Sequence, residues 1–292
     1  MANQLQVIKE EIFDVVESVV KGYVGRGELT LSANYSPQNA MKSAWLMLQE
    51  CKDSNNHPVL ERCIRNSVIN ALQEMLYQGL NPAKKQCYFI AYGDKLVLQR
   101  SYFGSMHVAE MVDPAITDIC YDVVYEGDEF EYAKTRGKTV ITSHRQKLEN
   151  ISKDKIIAAY CSIFRGDTED TTIMTMAEIK AAWNKSKMKP VEADGTIKKG
   201  STHDQYTKDM AIKTVVNHAC KYVINSSDDS SLLMQTARDA YDDMQDKADI
   251  IEAEIAANAN AVDVDFSEPV KVDSETGEII DPVGSEPNDI DF

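Results

Sequence analysis

Residues 80–104, LNPAKKQCYFIAYGDKLVLQRSYFG, decide the fold. Two runs rich in aromatic and β-branched residues, 86–92 and 95–100, flank Gly93-Asp94. A two-residue loop with glycine first suits a tight hairpin turn. That register sets Tyr92 against Lys95, Ile90 against Val97 and Tyr88 against Gln99. Side chains alternate along a strand, so Cys87, Phe89, Ala91, Leu96 and Leu98 fall on the other face and should be core. The first face carries Tyr88, Tyr92, Lys95 and Gln99. Lys84 and Lys85 precede the hairpin and Arg100 follows it. Rings beside cations on an open face suit a nucleic-acid backbone and its bases. Cross-strand packing is the plainer account of the two tyrosines.

Upstream, residues 5–22 read as a helix with Leu5, Ile8, Ile12, Val15, Val16 and Val19 on one side. Ser36-Pro37 marks a second helix start. Pro58 opens a third helix, with Leu60, Cys63, Ile64, Val68, Ala71, Leu72 and Met75 inward and Gly79 as its stop. Downstream, 102–111 is a short helix. Strand-like alternation follows over 116–126, 129–134 and 139–144, with turns at Gly127-Asp128 and Arg136-Gly137. Two more strands, 156–164 and 171–176, lead to a helix over 177–187.

Residues 184–202 form a long loop holding Lys185, Lys187, Lys189, Lys198 and Lys199 against Glu192 and Asp194. Loops of that length are usually functional or disordered. A helix over 203–224 places Lys213, Asn217 and Lys221 along one polar edge. Residues 230–257 space Met234, Ala237, Tyr241, Met244, Ala248, Ile251 and Ile255 in alternating threes and fours, a seam for its own domain or a neighbouring subunit. From 258 onward, acids and prolines without apolar periodicity read as a disordered tail. The pattern gives an α+β fold, with an antiparallel sheet and central hairpin packed by helices. A helical N-terminal region (1–79) precedes the α+β core (80–225), and a C-terminal helix (226–257) and the tail (258–292) follow it.

Charge is partitioned along the chain. Residues 1–133 hold 11 Lys/Arg and 18 Asp/Glu, and residues 134–221 hold 17 and 10, a net of +7. Residues 222–292 hold 3 and 19, which accounts for the whole net charge of −16. The middle is a candidate polyanion surface, and the end is a candidate interaction tail or self-screen. The last five residues, Asn-Asp-Ile-Asp-Phe, resemble the acidic tip of bacterial single-strand-binding proteins. No apolar run approaches a membrane span, and the N-terminus lacks the apolar core of a signal peptide. Six scattered cysteines without a CxxC pair imply a reducing cytoplasm without disulfides.

The chain has no GxxxxGK[ST], GxGxxG or HExxH, and its five histidines lack metal-ligand spacing. No cofactor is called for. Asp170, Glu178 and Lys180 give an acid followed by Glu-x-Lys, as in magnesium-dependent nucleases. There two carboxylates hold the metal and the lysine steadies the nucleophile. Here Glu178 and Lys180 fall in the first turn of a helix, where Glu favourably meets the helix dipole.

From about residue 73 to 224 the chain resembles the RecT family of phage recombinases. The likeness includes GLNP (79–82), QCYFIAYGDK and LQRSYFG around the hairpin, and VVYEGDEF (123–130). It continues through His144, Ala159-Tyr160, MTMAEI (174–179), WNKSK (183–187) and MAIKTVVNHACKY (210–222). It departs from the family at Ala91, at Asn217-His218 and at Thr202-His203-Asp204. The resemblance implies an ATP-independent single-strand annealing protein of the bacterial cytoplasm. Such proteins coat single-stranded DNA as rings or helical filaments and pair it with a complement. They usually work with a 5′-to-3′ exonuclease, and a host single-strand-binding protein is a further expected partner. Trp183 then joins the DNA-contact candidates.

Overall fold

A computed structural model of the chain describes residues 2–53, 55–186 and 188–227, with side chains from Lys9 onward. Leu5, Ile8, Lys187, the expected seam helix and the acidic tail lie outside those descriptions.

Helix α1 (Ala2–Gly25) buries Ile12, Val16 and Val20, while Val15 faces outward. Its Phe13 meets Trp45 of α2 (Pro37–Glu50) edge-on, ring centroids 5.7 Å apart. Ser36 caps α2 by accepting the Asn39 N–H at 3.3 Å. The periodic run after Pro58 is two helices, α3 (Val59–Arg62) and α4 (Arg65–Tyr77), with Cys63 and Ile64 extended between them. The Ile64 N–H donates to the Asp94 carbonyl at 2.7 Å, so a contact with the hairpin turn replaces a helical bond. Helix α4 stops at Gly79, whose φ is +62°. There Leu80 N–H donates to the Met75 carbonyl and Gly79 N–H to the Leu76 carbonyl, satisfying the last turn.

Strands β1 (Cys87–Tyr92) and β2 (Lys95–Arg100) pair in the expected register, Tyr92 on Lys95 through Cys87 on Arg100. Cys87, Phe89, Ala91, Leu96 and Leu98 are buried. Next come α5 (Tyr102–Val112), β3 (Asp118–Tyr125), β4 (Glu129–Thr135), β5 (Lys138–Arg145), β6 (Ile156–Arg165) and β7 (Thr168–Thr175). The chain continues with α6 (Met176–Trp183), α7 (Thr202–Gln205) and α8 (Thr207–Ser226). The expected helix over 203–224 is broken at Tyr206, and α6 ends four residues short of Lys187.

Among the described residues there are three antiparallel sheets: β1–β2, β3–β6–β7 and β4–β5. This is an α+β fold. One face of the three-stranded sheet presents Ala159, Cys161 and Ile163 to the buried stripe of α8, which also packs on α5. By strand alternation Tyr160 faces the other way. There Phe130 of β4 stacks on it, centroids 5.7 Å apart, and His144 Nδ1 lies 3.1 Å from its hydroxyl. The root of the β4–β5 hairpin is tied to β3. The buried Asp128 carboxylate accepts from Tyr125 N–H at 2.9 Å and from Asn150 Nδ2 at 2.8 Å. A contiguous apolar core runs from Ile12 to Ile224, and the six cysteines within it and around it are free thiols. No described helix is long and apolar enough to cross a membrane.

Candidate nucleic-acid interface

The base of the first hairpin is a hydrogen-bonded corner. Asn81 starts a 3-10 turn, Pro82–Lys84, by accepting the Ala83 N–H at 2.9 Å. The Gln86 side chain accepts the Asn81 N–H at 2.9 Å. Ser101 Oγ donates to the Lys85 carbonyl at 2.6 Å and also caps α5 by accepting the Gly104 N–H at 3.2 Å. These bonds hold Lys84 and Lys85 on the exposed outside of the corner, with Lys85 in the left-handed region at φ +56°.

The outward hairpin face is partly open. Tyr88 is 43% exposed, Lys95 is exposed, and Tyr92 and Gln99 are half-buried. Burial, helped by nearby Cys87, raises the Tyr88 phenol above its ordinary pKa. The Tyr102 phenol of α5 is pushed up to about 12, chiefly by burial and then by the nearby Tyr121. Tyr102 lies on Phe103 at 4.1 Å between centroids and meets Tyr121 of β3 edge-on at 6.0 Å. Phe103 is 38% exposed. Besides Tyr88 on the hairpin face, the fold gathers Tyr102, Phe103 and Tyr121 into one ring group, whose first member directly follows the Ser101 bonded to the Lys85 carbonyl. Sequence reasoning missed the last three rings. Tyr102 and Phe103 directly follow the hairpin, a usable signal, whereas Tyr121 arrives from β3 with none.

Two expected DNA contacts are corrected. Arg100 is only 3% exposed, because it pairs with Cys87 on the inward face, and its guanidinium donates to Gln78 Oε1 at 2.9 Å. Trp183 is 5% exposed, packs on His203 at 4.6 Å between centroids, and donates its indole N–H to Thr214 Oγ1 at 2.8 Å. Both are structural in this fold rather than open to a ligand.

The lysine-rich loop is ordered by its own bonds. Val191 and Ile197 bridge, Glu192 N–H donates to the Thr196 carbonyl at 2.8 Å, and Lys198 N–H donates to the Pro190 carbonyl at 2.8 Å. The Asn184 side chain grips the Val191 backbone through both its oxygen and its nitrogen. Lys185, Lys189, Lys198 and Lys199 are exposed on this loop. Lys213, Asn217 and Lys221 are half-buried along α8.

The acid and Glu-x-Lys do not converge. Glu178 closes a capping box, accepting Thr175 N–H and Oγ–H at 2.8 Å each, and these bonds hold its carboxyl below the ordinary range. Lys180 Nζ donates to the Gly195 carbonyl at 2.8 Å. Asp170 lies five residues back along β7 from Thr175, roughly 17 Å at the rise of a strand. Among the described residues, no three His, Cys, Asp or Glu side chains cluster to hold a metal.

The family model described as "RecT family" matches residues 38–252, which include the hairpin, the aromatic group, the lysine loop and α8. No curated protein and no solved structure matches the chain.

Proposed function

The chain belongs to the RecT family of single-strand annealing recombination proteins, and on that premise we propose that it binds single-stranded DNA and pairs it with a complement without ATP or metal. The observation that carries the reading is the family match across the whole site. The cation-and-ring corner supports it. Lys84 and Lys85 suit phosphates, and Tyr88 and Phe103 offer open ring faces to bases or sugars. In this reading the Watson–Crick edges stay free to pair. Lys95 at the hairpin tip, the exposed lysines of the loop, and Lys213 and Lys221 of α8 extend the electrostatic footprint; Tyr92 and Gln99 line the hairpin face. Affinity is then sequence-tolerant and salt-sensitive. Self-assembly on the strand, delivery of that strand by a 5′-to-3′ exonuclease and contact with a host single-strand-binding protein belong to the same proposal.

One experiment tests it. A labelled strand is incubated with the protein in Mg²⁺ or in EDTA, without nucleotide, and the complement is then added. Fast duplex formation in both buffers is expected. Degradation only in Mg²⁺ would favour a metal-dependent nuclease in its place. Neither degradation nor acceleration would leave a non-catalytic scaffold.

A further inference from the structure

The β4–β5 hairpin carries charge that the candidate interface does not use. Between Tyr132 and Leu148 there are five cations, Lys134, Arg136, Lys138, Arg145 and Lys147, and no acid. Arg145 and Lys147 lie near Glu129 and Glu149, at 4.0 and 3.9 Å. Lys134, Arg136 and Lys138 are exposed around the tip, with no acidic partner among the described residues. The hairpin's acids, Glu129 and Glu131, sit at the opposite, rooted end, so positive charge is concentrated where the element is least packed.

The tip's backbone adds an independent observation. Arg136 and Gly137 both have positive φ, +52° and +83°, as a type I′ turn requires. Asn, Asp or Gly suits the first of those positions, and arginine does not. Four described non-glycine residues have positive φ: Asn56, Lys85, Arg136 and Lys189. Three of them are cations, each exposed, against a general preference for Asn, Asp and His in that region. Cations stand at these corners against the backbone's preference, and strained positions of this kind concentrate at functional sites.

We propose that the tip of the β4–β5 hairpin, Lys134, Arg136 and Lys138, is a second binding site for the phosphodiester backbone of DNA, separate from the first hairpin. The two hairpins pack on different parts of the fold. β1–β2 lies against α4, and β4–β5 covers the side of the central sheet opposite α8. Its root is fixed by Phe130, His144 and Asp128, so a rigid arm presents the cations. The backbone it grips belongs either to the strand bound first or to the complement being paired.

This inference rests on the reading that the chain binds DNA. The variant is Lys134→Gln, Arg136→Asn, Lys138→Gln in the full chain, beside Arg136→Asn alone and a charge-retaining Lys134→Arg, Arg136→Lys, Lys138→Arg control. The probes are a labelled oligothymidylate for first-strand affinity and a labelled oligodeoxyadenylate for capture by the preloaded complex. Asn suits the turn, so Arg136→Asn is expected to keep or raise the melting temperature, which separates charge loss from unfolding. The neutral triple variant should lose about tenfold in affinity or capture at low salt, and its salt slope should flatten by about 2. The control should match the unsubstituted chain. Loss in the first assay assigns the arm to the bound strand, and loss confined to capture assigns it to the incoming one. Unchanged affinity and capture in folded neutral variants would overturn the arm alone. Failure of the unsubstituted chain to bind either probe would overturn the annealing reading and the arm with it.

Discussion

Gly104 leaves no room for a side chain. A Cβ there would stand 2.2 Å from the Gln86 carbonyl oxygen and 2.6 Å from Arg100 Cγ. The oxygen is backbone and accepts the N–H of Ser101, the residue whose Oγ caps α5, so it yields little. Gly104→Ala is therefore expected to destabilise the fold by about 1–3 kcal/mol or more, read by chemical denaturation. DNA affinity per folded molecule falls only if the Lys84-Lys85 corner shifts with it. Unchanged stability would mean that α5 can slide away from the hairpin base. The neighbouring Arg100 shows what the sequence held and what was overlooked. It lies two residues beyond Leu98, on the inward parity, so strand alternation alone placed it inside; its charge suggested the opposite. Trp183 carried no such warning. Its burial depends on Thr214 and His203, which approach from other helices, and only the tertiary fold brings them there. By contrast Tyr88 and Phe103 stand outside the core. Tyr88→Ala and Phe103→Ala should keep the fold and weaken single-strand binding by about 1–3 kcal/mol for each base stacked. The salt slope should not change, because no phosphate contact is lost. A flattened slope would show that these rings hold nearby cations in place instead of touching bases.

Helix α6 starts with a local device of which sequence reasoning found only the glutamate in the first turn. Thr175 and Glu178 sit three apart before an apolar turn, and the capping box forms as that spacing directs. The Glu178 carboxyl titrates below its ordinary value because Thr175 N–H and then Thr175 Oγ–H bond its charged form. A carboxyl depressed in the folded state adds stability above its unfolded pKa, about 4.3, and loses it as pH falls through the lower folded value. Comparing melting temperatures of the unsubstituted chain and Glu178→Gln should thus give a gap near neutral pH that closes below about pH 4. No gap near neutral pH would mean that the amide caps as well as the carboxylate, and that charge is not what holds this turn. The helix breaks were not legible. Apolar periodicity runs on through Cys63-Ile64 and through Tyr206, yet the chain opens at both places. At the first, the Ile64 N–H is claimed by Asp94, thirty residues away, and local spacing holds no record of that bond. The β1–β2 register, set by a two-residue turn between its own strands, was legible to the residue.

The chain divides its charge so that net basicity and net acidity occupy separate lengths of sequence. Residues 1–221 sum to zero and residues 222–292 carry −16, of which 258–292 contribute −9. A formal net charge of −16 would ordinarily disfavour a polyanionic ligand, but an average hides a middle of +7. Tethering matters more than the total. We propose that the acidic segment competes with DNA for Lys84, Lys85 and the loop lysines, because an anion joined to the same chain acts at an effective concentration set by the intervening chain. Such a tethered anion would compete with the phosphates of a strand that must arrive from dilute solution. Such competition is electrostatic and weakens as the screening length contracts, from about 30 Å at 0.01 M to about 10 Å at 0.1 M salt. Removing residues 258–292 should therefore raise single-strand affinity at low salt, and titration with salt should bring the two chains together. A further comparison tests the attachment. If the tail works by tethering, adding residues 258–292 as a free peptide at the same concentration as the shortened chain should leave its raised affinity unchanged. Restored low affinity at that concentration would show that attachment to the chain is not what matters. Equal affinities of the intact and shortened chains at low salt would sink self-competition and leave the acids free for another partner.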